Sequence, residues 1–179
     1  MLSGTQIQRD VDSGVVRIEP FSKKQVGPNS YDVRLAPMLL RVLPSGDGCP
    51  LDVRAGRGYE TRELLIPDCG AVLAPGQCYL GATVEWIDAG PYVACYAGRS
   101  TIGRYFVTSH ATAGLGDVGY RGSWTLEIQC AMPIRVYPRM RIGQVFFLEL
   151  TGAPPELYKG AYSNRVGESV PMKARAGNV

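Results

Sequence analysis

Three short segments carry the reactive side chains of this 179-residue chain in close succession: Gly98-Arg99-Ser100-Thr101-Ile102-Gly103-Arg104, Thr112-Ala113-Gly114-Leu115-Gly116-Asp117, and Gly119-Tyr120-Arg121-Gly122-Ser123-Trp124-Thr125-Leu126-Glu127. An arginine followed by two hydroxyl residues at a turn offers a guanidinium fork, two hydroxyls and free backbone N–H groups, a donor set suited to phosphate oxygens. The same run also suits an ordinary surface turn with an exposed arginine. Strand alternation puts Trp124, Leu126, Ile128 and Cys130 on one face and Thr125, Glu127 and Gln129 on the other. On that polar face Glu127 is either solvated or lines a cleft where a carboxylate works as a general base. The only histidine, His110, follows Ser109 and has no partner at metal-ligand spacing, which reads as a structural role or one behind the reacting groups.

The elements that must hold these groups are short. Ser3 and Gln6 stand at capping-box spacing and Gly14 is placed to end a helix, so the first element reads as helical. Runs rich in β-branched and aromatic residues predict strands at 15–19, 31–35, 38–42, 64–66, 78–84, 93–96, 124–130, 134–136 and 144–150. Turn clusters at Ser45-Gly46-Asp47-Gly48, Pro75-Gly76 and Asp88-Ala89-Gly90-Pro91 separate them. Many short strands at this spacing predict a mainly β sandwich, jelly roll or barrel. From Gly152 onward come Pro154, Pro155, two tyrosines and several basic residues with little apolar periodicity. That stretch, 152–179, reads as an extended arm, either disordered or ordered by lying over a neighbour or a ligand.

Composition narrows the class. A chain of this length with 45% hydrophobic residues suits one domain spanning 1–179. The formal net charge is +3, with Lys and Arg scattered, which argues against a nucleic-acid surface and leaves a small anion as the charged ligand. The five cysteines, Cys49, Cys69, Cys78, Cys95 and Cys130, form no CxxC pair, and their odd number fits reduced thiols in the cytoplasm, a host's if the source is viral. No window approaches the ~18 apolar residues of a membrane span, and the first residues show no leader pattern, so no membrane partner is expected.

Taken together and in this order, the segments resemble the dCTP deaminase branch of the trimeric deoxyuridine triphosphatase superfamily. The likeness runs nearly end to end. Leu2-Ser3 with Ile7, Ile18-Glu19-Pro20-Phe21 and Pro28-Asn29-Ser30-Tyr31-Asp32-Val33-Arg34-Leu35 are similar to that family's opening. Arg141-Ile142-Gly143-Gln144 is similar to its late strand, and Tyr158-Lys159-Gly160 with Tyr162 to its C-terminal arm. The resemblance implies a mainly β fold, a distorted jelly roll or β-barrel of the dUTPase-like (β-clip) type, with a short N-terminal helix and an extended arm. It also implies a homotrimer with sites between subunits.

The activity so implied is hydrolytic deamination of dCTP to dUTP and ammonia, without zinc. Glu127 is the expected proton shuttle: it takes a proton from water, hydroxide attacks C4 of cytosine, and the proton passes to N3 and the departing ammonia. Ser100 and the Ala113 carbonyl are expected to position that water, and Arg104 to orient and tune Glu127, whose pKa burial alone would raise. Asp117 is expected to accept from the 3′-hydroxyl, with Tyr120 beneath the deoxyribose. Arg99, Ser100, Thr101 and Gln144 are expected on the phosphates, Thr112 beside the nucleotide, and Tyr158 and Tyr162 closing over it. Mg²⁺ would arrive on the phosphate oxygens as part of the substrate. The zinc route needs a His or Cys ligand followed by Glu and a PCxxC element, and the chain has no such set.

The chain departs from the family in the arm. Gly160-Ala161-Tyr162-Ser163-Asn164-Arg165-Val166-Gly167 stands where the family commonly has Gly-Lys-Tyr-Gln-x-Gln-x-Gly. The lysine is missing and Arg165 occupies a glutamine position, so Arg165 or Lys159 would supply the phosphate contact and dCMP is an alternative substrate. Gly116 replaces a usual aliphatic residue, and Cys130 a frequent asparagine. A plain dUTP pyrophosphatase fits less well, because that branch carries an apolar residue in place of Glu127, a lysine in place of Arg104, and an Arg-rich Gly-Phe-Gly tail. A bifunctional enzyme that carries dCTP through to dUMP and pyrophosphate shares the Arg104 and Glu127 pattern and stays open beside the monofunctional one, as does feedback inhibition by dTTP. A non-catalytic nucleotide sensor on the same scaffold would have no need of Ser100, Arg104 and Glu127 together.

Overall fold

The N-terminal signals act as expected, with one exception. In the computed structural model, which describes residues 1–44, 46, 48–52, 59–160, 162–163, 171 and 173, helix α1 (Gly4–Asp12) opens the chain. The Ser3 hydroxyl accepts from the Gln6 N–H at 3.2 Å, and Gly14 closes the turn at φ 77°, a left-handed conformation that a side chain resists. The reciprocal half of the capping box does not form. The Gln6 amide donates instead to Asp10 at 2.8 Å, one turn further on.

Every ladder among the described residues is antiparallel. The largest sheet runs β4 (Thr61–Leu65), β3 (Met38–Val42), β6 (Tyr79–Asp88), β10 (Arg121–Cys130), β8 (Val107–Thr108), and β1 (Arg17–Glu19) also pairs with β6. A second runs β2 (Tyr31–Arg34), β12 (Arg141–Leu148), β7 (Val93–Gly98), β9 (Leu115–Gly116). A third pairs β5 (Ala71–Leu73) with β11 (Ile134–Val136). These ladders form distorted sheets rather than one closed barrel. Their inner faces share a core in which Val33, Leu39, Leu126, Ile128, Val145 and Phe147 are fully buried.

The strands expected at 38–42 and 134–136 have those bounds, whereas those expected at 78–84 and 124–130 extend to Asp88 and start at Arg121. β5, β8 and β9 span two or three residues each. They carry no alternation long enough to read and exist because a neighbouring strand pairs with them. Ser45 and Asp47 of one expected turn lie outside the described residues. Beyond Gly152 no helix or strand forms among the described residues, and no helix among them is long and apolar enough to cross a membrane.

β6 is kinked where it meets β10. Ser123 pairs with Trp86 but Thr125 pairs with Ala82, so two residues of β10 span four of β6. The kink is filled with hydrogen bonds. The Thr83 hydroxyl donates to the Glu85 carbonyl at 2.8 Å and accepts from the Trp124 N–H at 2.9 Å. Glu85 is fully buried, and its carboxylate accepts from the Arg34 N–H at 2.7 Å, Arg34 Nε at 2.6 Å and the Gln25 amide at 2.9 Å. A buried carboxylate persists only with its oxygens filled this way. Glu85→Ala leaves the Arg34 guanidinium unpaired and is expected to lower unfolding free energy by about 3–5 kcal/mol in urea denaturation. A loss below about 1 kcal/mol would mean that the carboxylate is not what holds the kink.

Candidate active site

Alternation along β10 sorts its side chains as expected. Trp124, Leu126, Ile128 and Cys130 are buried, while Thr125 and Glu127 are half-buried on the other face. Glu127 lines a cleft of about 440 Å³ together with Ala113, Asp117, Tyr120, Tyr158 and Tyr162. One wall is aromatic: Trp124 stacks on Tyr96 at 6.0 Å between centroids, Tyr120 meets Trp124 edge-on at 5.5 Å, and Tyr158 meets Tyr120 at 5.9 Å. The departure at Gly116 has a physical reason here. A Cβ at Gly116 would lie 3.0 Å from the Trp124 ring, so the missing side chain makes room for the indole. Cys130 is a packing position, with its thiol 3.7 Å from the Leu73 carbonyl.

His110 is the charge partner that one chain places beside Glu127. β8 pairs Thr108 with Gln129, and carrying that antiparallel register two residues further sets His110 opposite Glu127. Nδ1 contacts Glu127 Oε2 in a short hydrogen bond, with the imidazole 6% exposed and the carboxylate 42%. Burial opposes charge on the ring, but the Glu127 hydrogen bond and charge, aided by the Ala113 backbone, outweigh it and raise the His110 pKa above the ordinary histidine value. Tyr96 and Trp124 hold the ring edge-on at 5.2 and 5.9 Å. Tyr96 is itself pinned: its hydroxyl donates to Ser109 at 2.9 Å, and burial pushes its pKa up to about 12. No Cβ fits at Gly143, where it would collide with that hydroxyl.

A second, more polar cleft of about 600 Å³ lies beyond His110, which lines both. Arg99, Ser100 and Thr101, at the start of the short helix α2 (Ser100–Arg104), line it with Gln144 of β12 and Ser30 and Asp32. Ser30 donates to the Gln144 side chain at 3.0 Å. The chain thus divides the expected site. Glu127, Ala113, Asp117, Tyr120, Tyr158 and Tyr162 share the aromatic cleft, and Arg99, Ser100, Thr101 and Gln144 share the polar one. Arg104 and Thr112 are exposed and line neither; the Arg104 guanidinium donates back to the Ser100 carbonyl at 3.1 Å. Within one chain, therefore, Ser100 and Arg104 are not brought to Glu127.

Two described residues of the arm, Tyr158 and Tyr162, line the aromatic cleft. The Tyr158 N–H donates to the Val118 carbonyl at 2.8 Å, and Gly119, at φ 96°, permits the approach, since a Cβ there would meet Leu157 at 2.9 Å. Arg165 lies outside the described residues. Sequence reasoning did not assign Trp124 or Tyr59 to the cleft, and it gave His110 no contact with Glu127. Only the β8–β10 register carries the last of these, and β8 is two residues long. Among the described residues no three His, Cys, Asp or Glu side chains gather at metal-ligand spacing.

The arrangement offers a half-exposed carboxylate beside an imidazole at an aromatic wall, and a separate set of anion-binding donors. Because the folded-state pKa of His110 is raised, its ion pair adds stability that is complete below the ordinary value of about 6.5 and is lost as pH rises through the folded value. His110→Gln is expected to flatten this fall in melting temperature between about pH 5 and pH 9. Parallel pH profiles for the two proteins would mean that the pair does not form.

Residues 1–150 match the family described as dCTP deaminase-like. The "dCTP deaminase, dUMP-forming" of Clostridium acetobutylicum is 42% identical over 167 residues, covering 93% of this chain and 92% of that protein. The protein of the same description from Cytophaga hutchinsonii is 40% identical with the same coverage. The fold is similar to the crystal structure of 2′-deoxycytidine 5′-triphosphate deaminase from Agrobacterium tumefaciens, with a TM-score of 0.63 and 23% identity over 82% of this chain; the match spans 45% of that chain. From residue 1 to residue 150 by family match, and over nearly all its length by identity to these relatives, the chain belongs to the dCTP deaminase-like family.

Proposed function

We propose that the protein hydrolyses dCTP to dUTP and ammonia and carries the product on to dUMP and pyrophosphate. The observation that carries this reading is the Glu127–His110 pair lining an aromatic cleft. A carboxylate that only solvates a strand face has no need of a buried imidazole partner. The relatives described as dUMP-forming support the second step.

In this reading Glu127 takes a proton from water and passes it to N3 as the hydroxide adds to C4 of cytosine; it then carries the proton of the new C4 hydroxyl to the exocyclic nitrogen, which leaves as ammonia as the C4 carbonyl forms. The hydrogen bond between His110 Nδ1 and Glu127 Oε2 holds the carboxylate in place beside the cleft. No zinc enters the deamination. Asp117 accepts from the 3′-hydroxyl, Tyr120 packs under the deoxyribose, and Tyr158 and Tyr162 close over it. Arg99, Ser100, Thr101 and Gln144 bind the phosphates, which arrive with Mg²⁺. A second water then attacks the α-phosphate of dUTP and pyrophosphate leaves.

The division of the site between two clefts supports a homotrimer, in which a neighbouring subunit brings Ser100 and Arg104, with the phosphate donors, to Glu127 and the Ala113 carbonyl. A neighbour's Thr112, Lys159 or Arg165 would complete the set. The unit so assembled is one dUTPase-like domain with an arm from about residue 152, working in the cytoplasm and open to feedback by dTTP.

The test is a time course with dCTP and Mg²⁺ in which dCTP, dUTP, dUMP, pyrophosphate and ammonia are resolved. The expected result is dUMP and pyrophosphate with little free dUTP, and one ammonia per dCTP consumed. Accumulating dUTP would confine the enzyme to deamination, and untouched dCTP would sink the proposal. Glu127→Gln is expected to keep dCTP affinity within about threefold while turnover falls roughly 10²–10⁴-fold. Retained turnover would remove Glu127 from the chemistry.

A further inference from the structure

A carboxylate stands in the cleft that should attract anions. Asp32, on β2 directly opposite Gln144 of β12, lines the polar cleft with Arg99 and is only 16% exposed. An isolated carboxylate there would repel phosphate oxygens. This one is held between two arginines. Oδ1 lies 3.2 Å from Arg99 Nε, and Oδ2 accepts from Arg141 Nη1 at 3.0 Å. Arg141 is anchored in turn, its other terminal nitrogen donating to the Lys24 carbonyl at 2.9 Å.

The geometry points to Asp32 as a positioning residue: it presets Arg99 for the phosphates of the nucleotide. Guanidinium is a planar fork of five N–H donors. Asp32 engages Arg99 through Nε, the inner edge, which leaves the terminal nitrogens for a phosphate. An arginine that is already ordered loses less side-chain entropy when the anion arrives. Arg141 holds Asp32 in turn and offsets its charge, so the group of Asp32, Arg99 and Arg141 keeps a positive balance beside the cleft although it contains a carboxylate.

This rests on the polar cleft being the phosphate cleft of the proposed reaction. In the full-length protein, Asp32→Asn is expected to raise KM for dCTP roughly three- to tenfold with kcat within about twofold. Arg141→Met is expected to shift KM the same way but less, and the double variant to be no worse than Asp32→Asn alone. Isothermal titration with inorganic tripolyphosphate reads the cleft without chemistry, and its affinity is expected to fall by the same factor in Asp32→Asn. An unchanged or lowered KM, or equal tripolyphosphate binding, would overturn the assignment and make Asp32 a bystander or a repulsive charge. If the wild type leaves dCTP untouched while tripolyphosphate still binds it better than the variant, the proposed reaction fails and the role of Asp32 stands. Should Asp32→Asn not fold, Arg141→Met decides alone: a wild-type KM and wild-type tripolyphosphate affinity would refute the role.

Discussion

β10 must lie on β6 in one register for this protein to have a site at all. Side chains on a strand alternate with a period of two, so a slip of one residue exchanges the faces completely. In the observed register Glu127 sits opposite Leu80, with Trp124, Leu126 and Ile128 turned into the core. Shifted by one, the sheet would bury an unpaired carboxylate and expose an indole and two aliphatic chains. The penalty for that exchange is what makes the register unique. At the kink in β6 the Thr83 hydroxyl takes the Trp124 N–H of β10, while the filled Glu85 carboxylate ties the kink to Arg34 of β2 and to Gln25.

His110 inherits its place from that register through β8, the next strand in the sheet. Its ring stands between Tyr96 and Trp124 and borders both clefts. A buried imidazole would ordinarily lose its charge, and here the Glu127 carboxylate reverses that balance. The pair therefore joins an electrostatic contact, a carboxylate against an imidazole of raised pKa, to a packing requirement, an aromatic wall without gaps. Gly116 and Gly143 serve the same wall from behind, each giving a ring the space a Cβ would take. Such close packing leaves the rings little freedom to shift.

The two clefts differ in how they are made ready. The aromatic cleft is shaped by rigid rings and by the root of the arm, tied to the Asp117 loop at Val118. The polar cleft depends on flexible side chains on β2, β12 and the start of α2, which need ion pairs to hold them. Long basic side chains at a mouth gain most from such ordering, because rotamer entropy is their main loss on binding.

The sequence by itself determined the chemical inventory and the local elements. The capping signals of α1, the alternation of β10 and the segments around Arg99, Asp117 and Glu127 were legible because each depends on residues a few positions apart. The family resemblance followed from their order and spacing. Only the tertiary structure decided which groups meet. The contact of His110 with Glu127 depends on a two-residue strand, and the hold of Asp32 on Arg99 joins β2 to a turn 67 positions later. Gly116 read as a departure until Trp124 was seen to fill its place. The division of the expected site between two clefts has no local sequence signal and was legible only through the resemblance, which implies sites between subunits. Local propensity is written in neighbouring residues, whereas proximity across a sheet is set by register and packing over the whole chain.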